Sequence, residues 1–551
     1  MRLVGLGWGL PASDGWDNDG IAPRDFWPGL IESFTPGHYF TYPPAHLALL
    51  ALLTAPITAV ILLRAPALTQ AAVLGEALKV PYMTSYSLVA RGVSVAMSLG
   101  IVYAVAEIAR EAAGRRAGYA AAAVGALGVT ATYYAHTSNL DVPYVFWSAL
   151  ALLALARALA RDDPRRLRSA CALAALAVAS KDQAYALFVL GVPLALASGV
   201  ALGVWRGPRV RTVLREAAYG VGLGAAVLAV LDGALVNPSG FLARMRFLSG
   251  PASAPYAYYS ADLHGRWLAL VDTLRRVDEH YPLAFAPFAL VGLARAARLA
   301  PPGARAAGLV PACAIASYSL LFNCVALRTE QRFLLPQMVL WAAYAGIGLD
   351  WVLDAQRPAA RLAARAACFA ALGWGLFRCL DVDANLLLDP RYDAEAWLAA
   401  HVAPGDVLEV HGKSVYLVRP PPWAHVVRVG PDPVEQRNPL YGAEERRDAL
   451  GNVAARGPRW IVVSAVYAGN YLVDAPAQGQ ATGRVLNGTQ LEATGDADAT
   501  HFFRGLLAGS LGYRLAHTST WTSRLWPRLD IHGSLAEDTW VFERAAPPGP
   551  S

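Results

Sequence analysis

Asp17 and Asp19 lie one residue apart in Trp16-Asp17-Asn18-Asp19-Gly20-Ile21-Ala22-Pro23, and His38-Tyr39-Phe40-Thr41-Tyr42-Pro43-Pro44 follows in the same polar, aromatic stretch. Two carboxylates so spaced in a non-helical loop can chelate a divalent cation, or divide into a base and a supporting acid. In a soluble protein a solvated turn would be the better explanation. Here the sequence that follows is largely apolar, and a loop this charged has no packing reason to sit there. Asp17 and Asp19 are therefore candidate catalytic carboxylates. The pair is also the candidate site for a metal such as magnesium or manganese, and no other cofactor is indicated. His38 and Tyr42 are candidate substrate contacts in the same stretch.

Three further groups carry charge where apolar sequence surrounds them. Asp141, in Ser138-Asn139-Leu140-Asp141-Val142-Pro143, stands between two apolar runs. It suits a helix cap before a proline, and it equally suits a second catalytic acid. Lys181-Asp182 interrupts two more runs, where unpaired charge is costly. The two could neutralise each other, or Lys181 could meet a lipid phosphate. Arg328-Thr329-Glu330-Gln331-Arg332-Phe333-Leu334-Leu335-Pro336 offers guanidinium groups that bind phosphate in bidentate fashion. Neutralisation by Glu330 is the bland alternative. No Walker A, GxGxxG, HExxH or Ser-His-Asp pattern stands out, and the glycines at 220–224 suit helix packing better than phosphate binding.

The elements that must position these groups are mostly membrane spans. Of 551 residues, 55% are hydrophobic and only 16% charged, and the mean hydropathy is +0.35; soluble domains carry about 25% charge. Apolar runs at 87–109, 117–137, 143–160, 169–180, 184–204, 217–235, 281–299, 306–326, 334–353 and 362–380 approach the ~20 residues that cross a bilayer, although 169–180 is short. In lipid such runs must be helical, since no strand alternation is present. The net charge of +6 is nearly all arginine, for Lys79, Lys181 and Lys413 are the only lysines. The arginines fall in short loops, which favours membrane topology over nucleic-acid binding. The cysteines, 171, 313, 324, 368 and 379, lie in or beside apolar runs and form neither a disulfide framework nor a zinc pattern.

Arginine clusters at 110–116, 161–168, 206–215, 295–305 and 357–365 all fall on one face, which is cytoplasmic by the positive-inside rule. The opposite face receives Asp141, Lys181-Asp182, the loop 236–280, Arg328–Arg332 and everything after residue 380. For the Asp17/Asp19 loop to share that face, the apolar run 46–63 must lie along the interface instead of crossing. That in turn needs one more span upstream. Residues 1–10 read as the tail of such a helix, so the natural chain is expected to start before Met1.

After residue 380 the pattern becomes that of a small α/β domain. Strands are expected at 406–410, 425–429, 459–465 and 539–543, with helices at 394–401, 444–455 and 500–511. The organisation is thus a first outer loop with its interfacial helix (1–85), a transmembrane helical domain (86–380) and an extracytoplasmic α/β domain (381–551).

Together these motifs resemble the GT-C glycosyltransferases, in particular the bacterial relatives of protein O-mannosyltransferases and of the lipid A aminoarabinose transferase, a family 39-like group. The resemblance rests on the aspartate of 16–23, Tyr42-Pro43-Pro44, Asn139-Leu140-Asp141-Val142-Pro143, Ser180-Lys181-Asp182, Arg332-Phe333-Leu334-Leu335-Pro336, Asp389-Pro390-Arg391-Tyr392 and Ala396-Trp397-Leu398. It implies a polytopic α-helical membrane protein of GT-C fold, with about ten transmembrane helices, an interfacial helix and a C-terminal soluble α/β domain. It also implies sugar transfer from a polyprenyl-phosphate donor to an acceptor hydroxyl on a lipid, glycan or protein, at the outer face of the inner (plasma) membrane, with a periplasmic C-terminal domain and no nucleic acid. Asp19 matches the family's first catalytic carboxylate and Asp141 its second acidic position. Gly20 stands where the family often has another acid, and Asp17 is the available substitute. Lys181, Arg328 and Arg332 would take the donor phosphate, and attack opposite the leaving group would invert the anomeric centre. The rivals are a transporter, which would want mid-span charges and pseudo-symmetric halves, and a non-catalytic envelope-assembly partner.

Overall fold

The computed structural model describes residues 1–13, 15–17, 25–249, 257–354, 358–430, 440–472, 497–529, 531 and 535–545. Asp19, and with it half of the carboxylate pair, lies outside the described residues. The chain divides into two compact units. One comprises Met1–Leu6, Arg24–Ala55 and Val89–Val382, and the other Gly7–Pro23, Pro56–Leu88 and Asp383–Ser551. Residues of the expected first region, 1–85, thus fall in both.

The first unit is helical, and the chain is a multi-pass membrane protein by the length and apolarity of its helices. Each of the ten expected apolar runs is helical over most of its length. Among the described residues, seven helices are long and apolar enough to cross a membrane: Val80–Ala113, Asp141–Ala160, Asp182–Ala201, Pro208–Leu231, Pro302–Ala326, Gln331–Leu353 and Arg361–His401. The other runs fall short of a full span. Run 117–137 is broken into Arg115–Ala126 and Val129–Ala135, Arg166–Val178 is 13 residues long, and Leu283–Ala296 is a shorter apolar helix. Helix Ala286–Ala296 packs against Gln331–Leu353 at backbone distance. A Cβ at Gly292 would collide with the Tyr344 carbonyl, and one at Gly348 with that of Phe288, the small-residue packing by which helices associate where lipid offers no hydrophobic drive.

Two expectations change near the N-terminus. Residues 1–10 are a series of hydrogen-bonded turns, not a helix tail, because Gly5 and Gly9 take positive φ of 83° and 69°. The run 46–63 is not one helix but two, Pro44–Leu53 and Ala55–Arg64, broken at Thr54. Pro56 supplies the reason: it has no N–H to donate and disfavours helical geometry at the residue before it.

The α/β part of the second unit is a six-stranded sheet of order β3-β2-β1-β4-β6-β5. Its strands are β1 Val407–His411, β2 His425–Gly430, β3 Glu444–Arg447, β4 Trp460–Ser464, β5 Tyr513–Ser519 and β6 Thr539–Arg544. β1 to β4 are parallel, whereas β6 runs antiparallel to both β4 and β5. The period of two sends Val427, Val429, Ile461 and Val463 to one core with Phe502 and Phe503. It sends Leu408, Val410, Val426 and Val462 to the other, with Ala394 and Leu398. The four expected strands and helices Pro390–His401 and Ala497–Ala508 are present. Glu444-Glu445-Arg446-Arg447, expected to be helical, is instead the charged edge strand β3, a composition that discourages further pairing at a sheet edge.

Candidate active site

Asp141 is the first residue of its helix and not the cap: its N–H donates to the Asn139 side chain at 2.8 Å. That leaves the carboxylate available for something else. It is fully buried and accepts a hydrogen bond from Lys181 Nζ at 2.6 Å on Oδ1, while Oδ2 has no hydrogen-bond partner among the described residues. Of the Lys181–Asp182 neighbours, the lysine makes its close contact with Asp141 and not with Asp182. Asp182 instead receives the Arg244 guanidinium, whose Nε also donates to the Thr41 carbonyl at 3.3 Å.

Lys181 reaches a second group of charges. Leu327 closes its helix in the left-handed region, φ 54°, uncommon for a branched side chain and a mark of local strain. Arg328 to Glu330 follow before helix Gln331–Leu353 begins. Here Glu330 joins both arginines, at 2.8 Å from Arg328 Nη2 and 3.4 Å from Arg332 Nε, and the Tyr258 hydroxyl donates to it as well. Burial pushes the Glu330 carboxyl up, but Arg332 and Arg328, with the Tyr258 phenol, hold it below its ordinary value. Burial, followed by Glu330, pushes the Tyr258 phenol up.

The two groups share one ring. Arg328 lies 4.4 Å, Arg332 4.8 Å and Lys181 5.4 Å from the centroid of Phe333, all within cation–π range. Phe333 is itself fixed, since its carbonyl accepts from Tyr318 Oη at 2.8 Å. Three cationic side chains thus share one apolar floor, with Asp141 and Glu330 beside them. Such a cluster can hold an anionic group and stabilise charge that develops on it.

The sequence candidates are thus partly assembled. Asp141, Lys181, Arg328 and Arg332 come together. His38 is exposed, but its backbone is fixed, as the buried Asn237 side chain donates to the carbonyls of Ser33 and His38 and accepts from the N–H of Gly37. Tyr42 is half-buried, 6.1 Å from Phe40 between ring centroids. Asp17 belongs to the second unit, directly after a Trp16 held by C-terminal residues. Among the described residues, no group of three His, Cys, Asp or Glu side chains could hold a metal ion. Sequence reasoning missed Asn237 and Arg244, which clamp the 33–41 segment. The one signal was Asn-Pro at 237–238, a turn-and-cap pattern.

Residues 83–231 match the model of a family described as dolichyl-phosphate-mannose-protein mannosyltransferase. That segment contains Asp141 and Lys181. The expected resemblance to the protein O-mannosyltransferase group is met over that segment. Among solved structures, ArnT from Cupriavidus metallidurans bound to undecaprenyl phosphate is 16% identical, with a TM-score of 0.48 over 84% of this chain and 92% of its own. The archaeal oligosaccharyltransferase AglB from Archaeoglobus fulgidus, in complex with an inhibitory peptide and a dolichol-phosphate, is 14% identical, with a TM-score of 0.42 over 94% of this chain and 76% of its own. The arabinofuranosyltransferase AftD from Mycobacteria is 14% identical, with a TM-score of 0.39 over 99% of this chain and 39% of its own. No curated protein matches the chain.

Proposed function

We propose that this protein is a membrane glycosyltransferase that moves a sugar from a polyprenyl-phosphate donor to an acceptor hydroxyl at the outer face of the plasma membrane. The observation that carries the reading is the convergence of Lys181, Arg328 and Arg332 on Phe333. A polyprenyl-phosphate sugar is an anionic phosphodiester, the chemistry that clustered ammonium and guanidinium groups bind. The family match over residues 83–231 supports the same substrate class. The arginine clusters support the sidedness, with the α/β domain periplasmic.

In the reaction, the acceptor oxygen attacks the anomeric carbon and its proton passes to Asp19, the candidate base. The bond between the anomeric carbon and the phosphate oxygen breaks on the opposite side, so the product is inverted. Polyprenyl phosphate leaves with a second negative charge, and the three cations stabilise it as it develops. Asp141 holds the Lys181 ammonium in place. Asp17 is a supporting acid or a metal ligand with Asp19, and His38 and Tyr42 contact substrate. Hexose and pentose donors, and lipid, glycan and protein acceptors, are all consistent with this chemistry. The test is transfer from labelled polyprenyl-phosphate sugars by purified protein. Asp19→Asn is expected to bind donor without turning it over, and transfer with retained configuration would overturn the inverting step.

A further inference from the structure

The second unit contains a fixed seat for the loop that leads to the candidate carboxylates. Asp389 and Arg391 open helix Pro390–His401 and are both buried. Arg391 donates to Asp389 through Nε at 2.9 Å and Nη2 at 2.7 Å, and through Nη1 to the Val415 carbonyl at 2.9 Å. The guanidinium so held lies 3.9 Å from the centroid of Trp16. Trp16 is buried, and its Nε1 donates to the Leu417 carbonyl at 2.9 Å. Trp8 donates to Asp389 at 2.9 Å and meets Trp16 edge-on at 5.9 Å. Around these, Arg419 donates to the Leu10 carbonyl, and Gly9 N–H donates to the Tyr392 hydroxyl at 3.2 Å. A Cβ at Gly9 would collide with the Trp16 ring, at 2.8 Å.

A buried ion pair is an expensive way to hold an aromatic side chain if packing is the only aim, because apolar residues of similar volume do so at no desolvation cost. What the pair adds is direction. It fixes the Trp16 ring plane and register, and the chain passes from Trp16 straight to Asp17 and, two residues later, to Asp19. We propose that Arg391 is a positioning residue of the transferase: the C-terminal domain sets the geometry of the first-loop carboxylate Asp17 through the Asp389–Arg391–Trp16 stack. This inference rests on the function proposed above, but the anchor can be measured without it.

The experiment uses the full chain in detergent with Arg391→Ala, Arg391→Lys and Trp16→Leu. Trp16→Leu keeps the Asp389–Arg391 pair, so it reports on the seat even if Arg391→Ala fails to fold. Hydrogen exchange should rise in peptides covering 7–17 while strands β1 and β4 stay protected. Turnover of a polyprenyl-phosphate sugar should fall about 100-fold, the cost of an ångström-scale misplacement, while donor KM stays within about twofold, and Arg391→Lys should recover part of kcat. Unchanged exchange at 7–17 overturns the anchor. Raised exchange with unchanged kcat overturns the positioning role, and so does a parallel loss of kcat, donor affinity and strand protection. If Asp17→Asn and Asp19→Asn are both fully active, the catalytic role proposed for these carboxylates fails, and the exchange result still decides the anchor.

Discussion

Replacing Lys181 by methionine tests the charge arrangement at its most exposed point. The lysine gives Asp141 a hydrogen bond at 2.6 Å, the carboxylate is fully buried, and its other oxygen has no hydrogen-bond partner among the described residues. Methionine keeps most of the volume and removes the charge, so the main effect is an uncompensated buried carboxylate, which costs about 3–5 kcal/mol. Asp141→Asn alone leaves the lysine less completely buried, at 12% side-chain exposure, so its cost is smaller, about 1–3 kcal/mol. In Lys181→Met/Asp141→Asn neither charge remains, and most of the loss should be recovered, giving a coupling energy of roughly 2 kcal/mol or more. Thermal or denaturant unfolding of the four proteins in one detergent measures the cycle. Activity should separate from stability, because a lysine that also takes the donor phosphate leaves the double mutant stable but unable to bind donor. Additive destabilisation refutes the pairing argument. A double mutant with wild-type turnover refutes the phosphate role of Lys181.

Other consequences are as specific. Arg328→Ala and Arg332→Ala should each raise donor KM by about 10–100-fold, the worth of one charge-assisted contact, as read from initial rates with a labelled donor. Glu537 is 2% exposed, and burial, only partly opposed by Arg391 and Arg528, pushes its carboxyl from an ordinary 4.5 up to about 8. The folded state therefore holds this proton more tightly than the unfolded state does. Its contribution is full below pH 4.5 and is lost as pH rises through 8, at most about 5 kcal/mol. Glu537→Gln should flatten that loss in unfolding midpoints measured across the window. Gly348→Ala drives a Cβ into the Phe288 carbonyl, and unfolding should show a loss of about 1–3 kcal/mol from overpacking.

Much of the fold was legible because its signals are strong in one dimension. Apolar runs in a membrane have only the helix available, and the Val-rich strands of the sheet alternate between two cores. The breaks were less visible. Thr54 interrupts its run because of a proline two residues on, and glycines at positive φ turn residues 1–10 into successive turns. Glu444–Arg447 reads as helix by composition, yet its place at the edge of the sheet decides its state. At the site, the sequence pointed to Asp141, Lys181, Arg328 and Arg332 as charges out of place. It did not show that Lys181 and Asp182, adjacent in the chain, take separate partners in Asp141 and Arg244. Adjacent residues diverge at a helix start, so pairing there depends on tertiary position. The hub role of Phe333 was hidden for the same reason: a ring shared by three cations from two distant segments has no local pattern.

The most direct test of the central claim is single-turnover transfer from a radiolabelled polyprenyl-phosphate sugar by the purified chain, with Asp19→Asn and Lys181→Met beside it. The expected result is transfer by the unaltered protein, retained donor binding without transfer in Asp19→Asn, and lost donor binding in Lys181→Met. Full transfer by both variants would contradict it.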